Sequence, residues 1–187
     1  MTAAYLALLA LVGVGRLIEL RISRRNQCRL EKQGVRKIVE PHFRWMVITH
    51  AGVLAGAAAE VLLLHRPLIP SLAIVMTALL VFANALRWWV IRTLAEHWNV
   101  EVMASSRVGV VAAGPYRWVR HPNYVAVVIE LFSLPMIHTA WITALAGTLA
   151  NLEILRRRLR VEEGVLMADP AYRSAMGAKP RFLPGLF

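Results

Sequence analysis

GPYRWVRHPNY, residues 114–124, sits at the mouth of a long apolar run. Two arginines (Arg117, Arg120), a histidine (His121), two tyrosines (Tyr116, Tyr124) and two prolines (Pro115, Pro122) share these eleven positions. Rigid, charged and aromatic residues are costly to crowd at a membrane boundary, so the stretch reads as a binding site. A basic juxtamembrane turn with an aromatic belt uses the same residue types and is the competing reading.

The boundary itself follows from composition. Of 187 residues, 58% are hydrophobic and only 18% charged, which favours a polytopic membrane protein over a soluble domain. A net charge of +11 raises nucleic acid as a partner. The basic residues lie between apolar runs rather than along one face, and the positive-inside rule accounts for them without nucleic acid. The single cysteine, Cys28, excludes an intramolecular disulfide and a cysteine-rich zinc site. The six histidines are scattered without paired spacing, so no metal site is expected.

Outward from the motif, the chain alternates apolar and basic segments. Residues 3–20 form a first run, barely long enough to span, ending in Arg16 and Glu19 on one helix face. Gly13 and Gly15 would let a neighbouring helix approach. Residues 21–42 are strongly basic and read as a cytoplasmic loop or an interfacial helix broken at Gly34. Residues 43–64 and 68–91 form two further spans, joined by a turn with Pro67 and Pro70. The charge alternation places the N-terminus outside and the loop after the third span inside. Within the spans, Glu60 falls close to His65 and Arg66 and reads as a residue of the outer interface, and Glu130 reads as a carboxylate paired with a neighbouring helix. His50 and Asn84 are the other polar side chains singled out there. Trp88, Trp89 and Trp98 suggest an aromatic belt.

Residues 122–155 are apolar but interrupted by Pro135. Two arms, 122–134 and 136–155, make a helical hairpin; a single kinked helix is the alternative. The basic tail (Arg156, Arg157, Arg158, Arg160, Arg173, Lys179, Arg181) belongs on the side that holds the motif, and only a hairpin returns it there. The expected fold is therefore all-α, with about five transmembrane helices, the last two a hairpin, and a pocket on the cytoplasmic side. One domain covers 1–187, with N-terminal spans in 1–92 and a catalytic half in 93–187. In RRRLRVEEGVL, residues 156–166, Arg158 and Glu162 are i, i+4 and share a helix face. At the C-terminus, Pro180 and Pro184 prevent a regular helix. Phe182, Leu183, Leu186 and Phe187 would let the tail fold back as a lid or dip into the interface.

GPYRWVRHPNY, an apolar hairpin, RLRVEE and a terminal PRFLP together resemble the isoprenylcysteine carboxyl methyltransferase family of integral-membrane enzymes. The resemblance covers roughly residues 93–187. It implies S-adenosylmethionine as methyl donor, with Tyr116, Arg120, His121, Pro122, Tyr124 and Glu163 at the cofactor. It implies Arg158 and Glu162 as the pair near the reacting group, and a tail around Arg181 and Phe182 covering the cofactor. MADPAY stands where family tails carry a Phe-Gly pair before a tyrosine, and Met176 stands where a second tyrosine often follows.

The acceptor would be a lipophilic molecule entering from the bilayer among membrane lipids. A carboxylate needs no base, and Arg158, held by Glu162, would orient it by a forked contact. A phenol or pyrone lipid must lose a proton, making Glu162 or His121 the base. The faces of Tyr124 or Trp118 would suit the sulfonium cation. A non-enzymatic membrane scaffold is the remaining alternative, and it predicts no binding of S-adenosylmethionine.

Overall fold

The computed structural model describes residues 1–38, 42–104 and 109–183. Leu186, Phe187 and Pro184 of the expected lid lie outside the described residues. Six α-helices follow in order among those described: α1 (Thr2–Lys32), α2 (Phe43–Leu63), α3 (Pro70–Leu94), α4 (Pro122–Met136), α5 (Trp141–Leu166) and α6 (Pro170–Met176). The fold is helical and membrane-embedded, as the composition requires. α1, α2 and α3 are each long and apolar enough to cross a bilayer. Two-residue strands β1 (Arg36–Lys37) and β2 (Met103–Ala104) pair antiparallel and clip the two polar connections together.

α1 decides between the two readings of the basic stretch, in favour of a helix broken at Gly34 and against a loop. It does not end near residue 20 but continues for 31 residues, about 46 Å, to Lys32. Arginine and lysine are good helix formers, so the basic stretch has no reason to break. Buried polar residues on this extension also hold the chain after α3. Asn26 Nδ2 donates to the carbonyls of Ala95 (3.0 Å) and Trp98 (2.8 Å). Ser23 Oγ accepts from the Val100 amide at 3.0 Å. The helix stops at Gly34, whose φ of 81° suits glycine. Trp98 is 2% exposed beneath this extension, so it belongs to the core and not to an aromatic belt. Trp88 and Trp89 do face outward.

The hairpin forms, but its turn comes later than Pro135. α4 runs through Pro135 to Met136. A proline in the final turn removes one helix bond, and here its carbonyl accepts the amides of His138 and Ala140, closing the turn. Thr139 Oγ1 ties that turn to the Pro67 carbonyl at 2.6 Å. α4 is only 15 residues, about 22 Å, shorter than a bilayer core of about 30 Å, and nine of those residues are buried. It is a core helix, packed between α3 and α5. Glu60 sits at the end of α2, where its carboxylate accepts the first amides of α5, from Ile142 (3.2 Å) and Thr143 (2.8 Å), and pairs with Arg66 at 2.9 Å.

α1 and α2 share a core toward their far ends, where Tyr5, Leu9, Ala57 and Val61 pack with Leu134 and Ile137. Gly13 lies against Leu54, whereas Gly15 meets no neighbour. Toward the motif end the two helices part, and a cavity opens between them.

Candidate active site

The GPYRWVRHPNY stretch is built by glycine and proline. Gly114 adopts φ 54°, and a Cβ there would collide with the Thr93 side chain on α3. Only glycine lets the short 3-10 turn Gly114–Arg117 seat on that helix. Pro122 opens α4 at its first turn, where a missing amide hydrogen costs nothing. The tail then straps across. The amides of Arg120 and His121 donate to the carbonyls of Pro180 (3.0 Å) and Arg181 (2.9 Å). Lys179 Nζ donates to the Tyr116 carbonyl at 2.7 Å.

Glu163 is the hub of this corner. Its carboxylate meets Arg120 at 3.1 Å, Arg181 at 2.7 Å and His121 Nε2 at 3.3 Å. Burial pushes the carboxyl up, but the Arg181 hydrogen bonds and the charges of Arg120, Arg181 and His121 outweigh it, leaving the carboxyl below its ordinary range. The Phe182 ring lies 6.4 Å from the His121 ring, so the tail does reach the motif.

Beside it stands a second array. Arg158 Nε donates to the Tyr124 hydroxyl at 3.0 Å, and that hydroxyl donates to Glu162. Thus Arg158 and Glu162 share a face as their spacing requires, with Tyr124 bridging them. Arg158 also donates to the Val100 carbonyl and approaches Met46 Sδ at 3.4 Å. The rings of His121 and Tyr124 stack at 5.4 Å with 14° between planes, coupling the two arrays.

Both arrays border one cavity of about 910 Å³. Of the residues expected at a site, Tyr116, Arg120, His121, Tyr124, Arg158 and Glu162 line it. Pro122 and Glu163 are not among its lining residues: Pro122 begins α4, and Glu163 holds Arg120 and His121. Trp118 is half-exposed, packs edge-on to Trp89 at 5.9 Å, and is also absent from the lining. Asn123 and Tyr172 line the cavity too, and the sequence reading passed over both. Asn123 stands inside the motif, and Tyr172 closes the divergent MADPAY, so each had a local signal.

The polar end of the cavity has unmet bonding capacity. Arg120 Nε and Asn123 Oδ1 are buried without a hydrogen-bond partner among the described residues. Such atoms are costly unless something binds them. Burial and the Glu162 charge push the Tyr172 phenol up to about 12, Arg120 partly offsetting them, and burial with Glu162 also raises Tyr116. Both phenols are therefore hydrogen-bond donors at neutral pH and not bases. Most of the remaining wall is apolar, with Leu17 and Leu20 of α1, Val47 and Ala51 of α2, and Val90 of α3, and Arg16, Glu19, His50 and Arg87 line its deep end. Leu17 is 60% exposed and Val47 40%, so the cavity wall between α1 and α2 is also surface that faces lipid.

The model of the isoprenylcysteine carboxyl methyltransferase (ICMT) family matches residues 73–168, slightly more than half the chain. A Bacillus subtilis protein, the uncharacterised YpbQ, is 29% identical over 159 residues, 85% of this chain and 94% of its own length. An uncharacterised Haemophilus influenzae protein is 36% identical over 90 residues, 48% of this chain and 52% of its own. The solved structure of the eukaryotic intramembrane Ras methyltransferase ICMT (isoprenylcysteine carboxyl methyltransferase) superposes with a TM-score of 0.56 at 20% identity. That match covers 74% of this chain, which spans about half the length of the solved one, 52%.

Proposed function

This chain belongs to the isoprenylcysteine carboxyl methyltransferase family, and from that premise we propose that it transfers a methyl group from S-adenosylmethionine to an oxygen of a lipophilic acceptor. The observation that carries the reading is the single cavity with two characters. The end at the motif is polar and under-satisfied, while the middle is apolar and abuts the lipid-facing gap between α1 and α2. A polar donor and a lipid acceptor need such a meeting place.

S-adenosylmethionine fits the polar end. Arg120 and Asn123 offer the unmet donor and acceptor, Tyr116 and Tyr172 offer neutral hydroxyls, and the Tyr124 ring offers a face for a cation. When bound, it supplies a methyl group already activated on a sulfonium. Glu163 acts through others, fixing Arg120 and His121, while Arg181, Phe182 and the strap at Pro180 exclude water.

The chain's remaining task is to orient the acceptor and, where needed, take its proton. For a carboxylate, the Arg158 guanidinium is the orienting cation, and Tyr124, Val100 and Met46 fix its plane. Carboxylate O-methylation is our first reading. O-methylation of a phenolic or pyrone lipid is the second, favoured by the bond from the Tyr124 hydroxyl to Glu162. That carboxylate would accept an acceptor proton directly or through Tyr124. We place the N-terminus outside and the site on the cytoplasmic side, from the basic segments at the motif end of α1 and α5.

Labelled S-adenosylmethionine separates the readings. Membranes holding the protein receive a farnesylcysteine-type acid or an alkyl phenol or pyrone, and the extracted lipid is treated with mild base. Label released as methanol marks a methyl ester and Arg158 as the acceptor clamp. Base-stable label marks an ether and Glu162 as the base. A folded protein that binds no S-adenosylmethionine contradicts both and leaves a membrane scaffold.

A further inference from the structure

One group of side chains has no part in the proposed chemistry. Arg16, Glu19, Arg87 and Glu130 form an ion cluster inside the helix bundle. Arg16 meets Glu19 at 2.8 Å and Glu130 at 3.6 Å, and Arg87 meets Glu130 at 2.8 Å and Glu19 at 3.6 Å. Glu19, Arg87 and Glu130 are each 4% exposed or less. Asn84 Oδ1 accepts from Arg16 at 3.1 Å and completes the cluster. Its formal charge is balanced, two positive against two negative. Isolated charges in a membrane core are strongly disfavoured, so a paired set is the tolerable form.

The cluster is not sealed off. Arg16, Glu19 and Arg87 line the same cavity as Tyr124 and Arg158, and His50 lines it with them. The wall facing the acceptor is therefore apolar in its middle and polar at both ends. The two ends are close. On α2, Met46 touches Arg158, and His50 lies one turn deeper, about 6 Å along the axis. On α4, Glu130 lies six residues beyond Tyr124, about 9 Å along the axis.

This deep end has unmet bonding capacity of both kinds. His50 Nδ1 lies 2.8 Å from the Met46 carbonyl, so that nitrogen holds the proton and Nε2 is an acceptor. Nε2 has no partner among the described residues. In the cluster itself, Glu19 Oε1 is a buried acceptor and Arg16 Nε and Arg87 Nε are buried donors, all three unpartnered among the described residues. Unmet acceptors and donors beside a charge-balanced cluster fit a neutral group that both donates and accepts a hydrogen bond, as a hydroxyl does. A second carboxylate would face Glu19 and Glu130 without a free cation to balance it. A plain hydrocarbon would leave these groups without partners, which weakens binding.

We propose that the acceptor carries a neutral hydroxyl about 6–9 Å from the methylated oxygen, received by His50 in front of the Arg16–Glu19–Arg87–Glu130 cluster. This deepens the methyltransferase reading and rests on it for the position of the reacting oxygen at Arg158. The rest of the acceptor's tail leaves past Leu17 and Val47 into lipid. The acceptor is then a hydroxylated amphiphile and not a bare hydrocarbon chain on one polar head.

The test is equilibrium binding to the purified full chain in detergent. Three probes share one carboxylate head and chain length: 7-hydroxyhexadecanoate, its isomer 16-hydroxyhexadecanoate, and hexadecanoate. The 7-hydroxyl sits at the required reach, while the 16-hydroxyl does not. Binding of S-adenosylmethionine is measured on the same samples. The 7-hydroxy acid is expected to bind about tenfold tighter than the other two, and His50→Leu is expected to erase that preference while still binding hexadecanoate. Equal binding of the three acids, or no binding of any while S-adenosylmethionine binds, overturns the hydroxyl inference and leaves the methyltransferase reading standing. Loss of S-adenosylmethionine binding, with the acid ranking intact, sinks the methyltransferase reading instead. The wild-type ranking decides the matter even if His50→Leu does not fold.

Discussion

Tyr124 is where the two arrays meet: its ring stacks on His121, and its hydroxyl joins Arg158 to Glu162. Tyr124→Phe keeps the ring and removes the bridge. Methyl transfer is expected to fall about 100-fold with S-adenosylmethionine affinity nearly unchanged, as rate and calorimetric titration would show. Full activity in that variant would remove Tyr124 from the chemistry. Glu163 offers a pH handle. Its carboxyl is lowered on folding, so the stability it lends the tail is fully present above the ordinary glutamate value of about 4.3 and fades as pH falls through the lower folded value. Limited proteolysis should find the tail after Met176 protected at pH 7 and cut progressively below pH ~4. Arg181 is nearly half-exposed, so the global melting temperature should hardly register the loss. At this scale the sequence was informative where residue types cluster. RHPNY and RLRVEE stand out by composition and spacing alone. The ion cluster did not, because its members are scattered from residue 16 to residue 130 and only packing brings them together. Glu130 was legible as a paired carboxylate, but its partner Arg87, 43 residues earlier, was not.

Helix ends explain which elements were legible. α2 and α3 were evident as apolar runs between a basic segment and a proline turn, and α3 starts at Pro70, where that residue is well tolerated. The length of α1 was not, because charge marks where lipid ends and not where a helix ends. The hairpin turn fell later than Pro135 because a proline in the last turn removes only one bond. Glu60 shows how a polar residue in a span can be architectural. It accepts the Ile142 and Thr143 amides and the Thr143 hydroxyl at the start of α5. Glu60→Ala should lower stability by about 2 kcal/mol through those unmet donors, while activity per folded molecule stays within about twofold. Thermal melts paired with methyl-transfer rates check this. A stable variant with lost activity would move Glu60 to the chemistry.

The molecule as a whole is a membrane bundle whose α1 and α2 join at one end and part at the other. That opening places a polar pocket and a lipid-facing gap in one cavity. The orientation we propose has a built-in reporter. Cys28 is the sole cysteine, is exposed, and lies on the extension of α1 at the motif end. An impermeant maleimide should label it in inside-out vesicles and not in intact spheroplasts; the reverse pattern would invert the topology and place the site outside.

Every step of the proposed reaction depends on the polar end of the cavity being an S-adenosylmethionine site. Calorimetric titration of S-adenosylmethionine into the purified chain tests that directly, with Arg120→Ala and Glu60→Ala alongside. One molecule bound per chain, with affinity weakened about tenfold or more by Arg120→Ala and untouched by Glu60→Ala, is the predicted result. Absence of binding to the folded wild-type chain, or binding indifferent to Arg120, would contradict it.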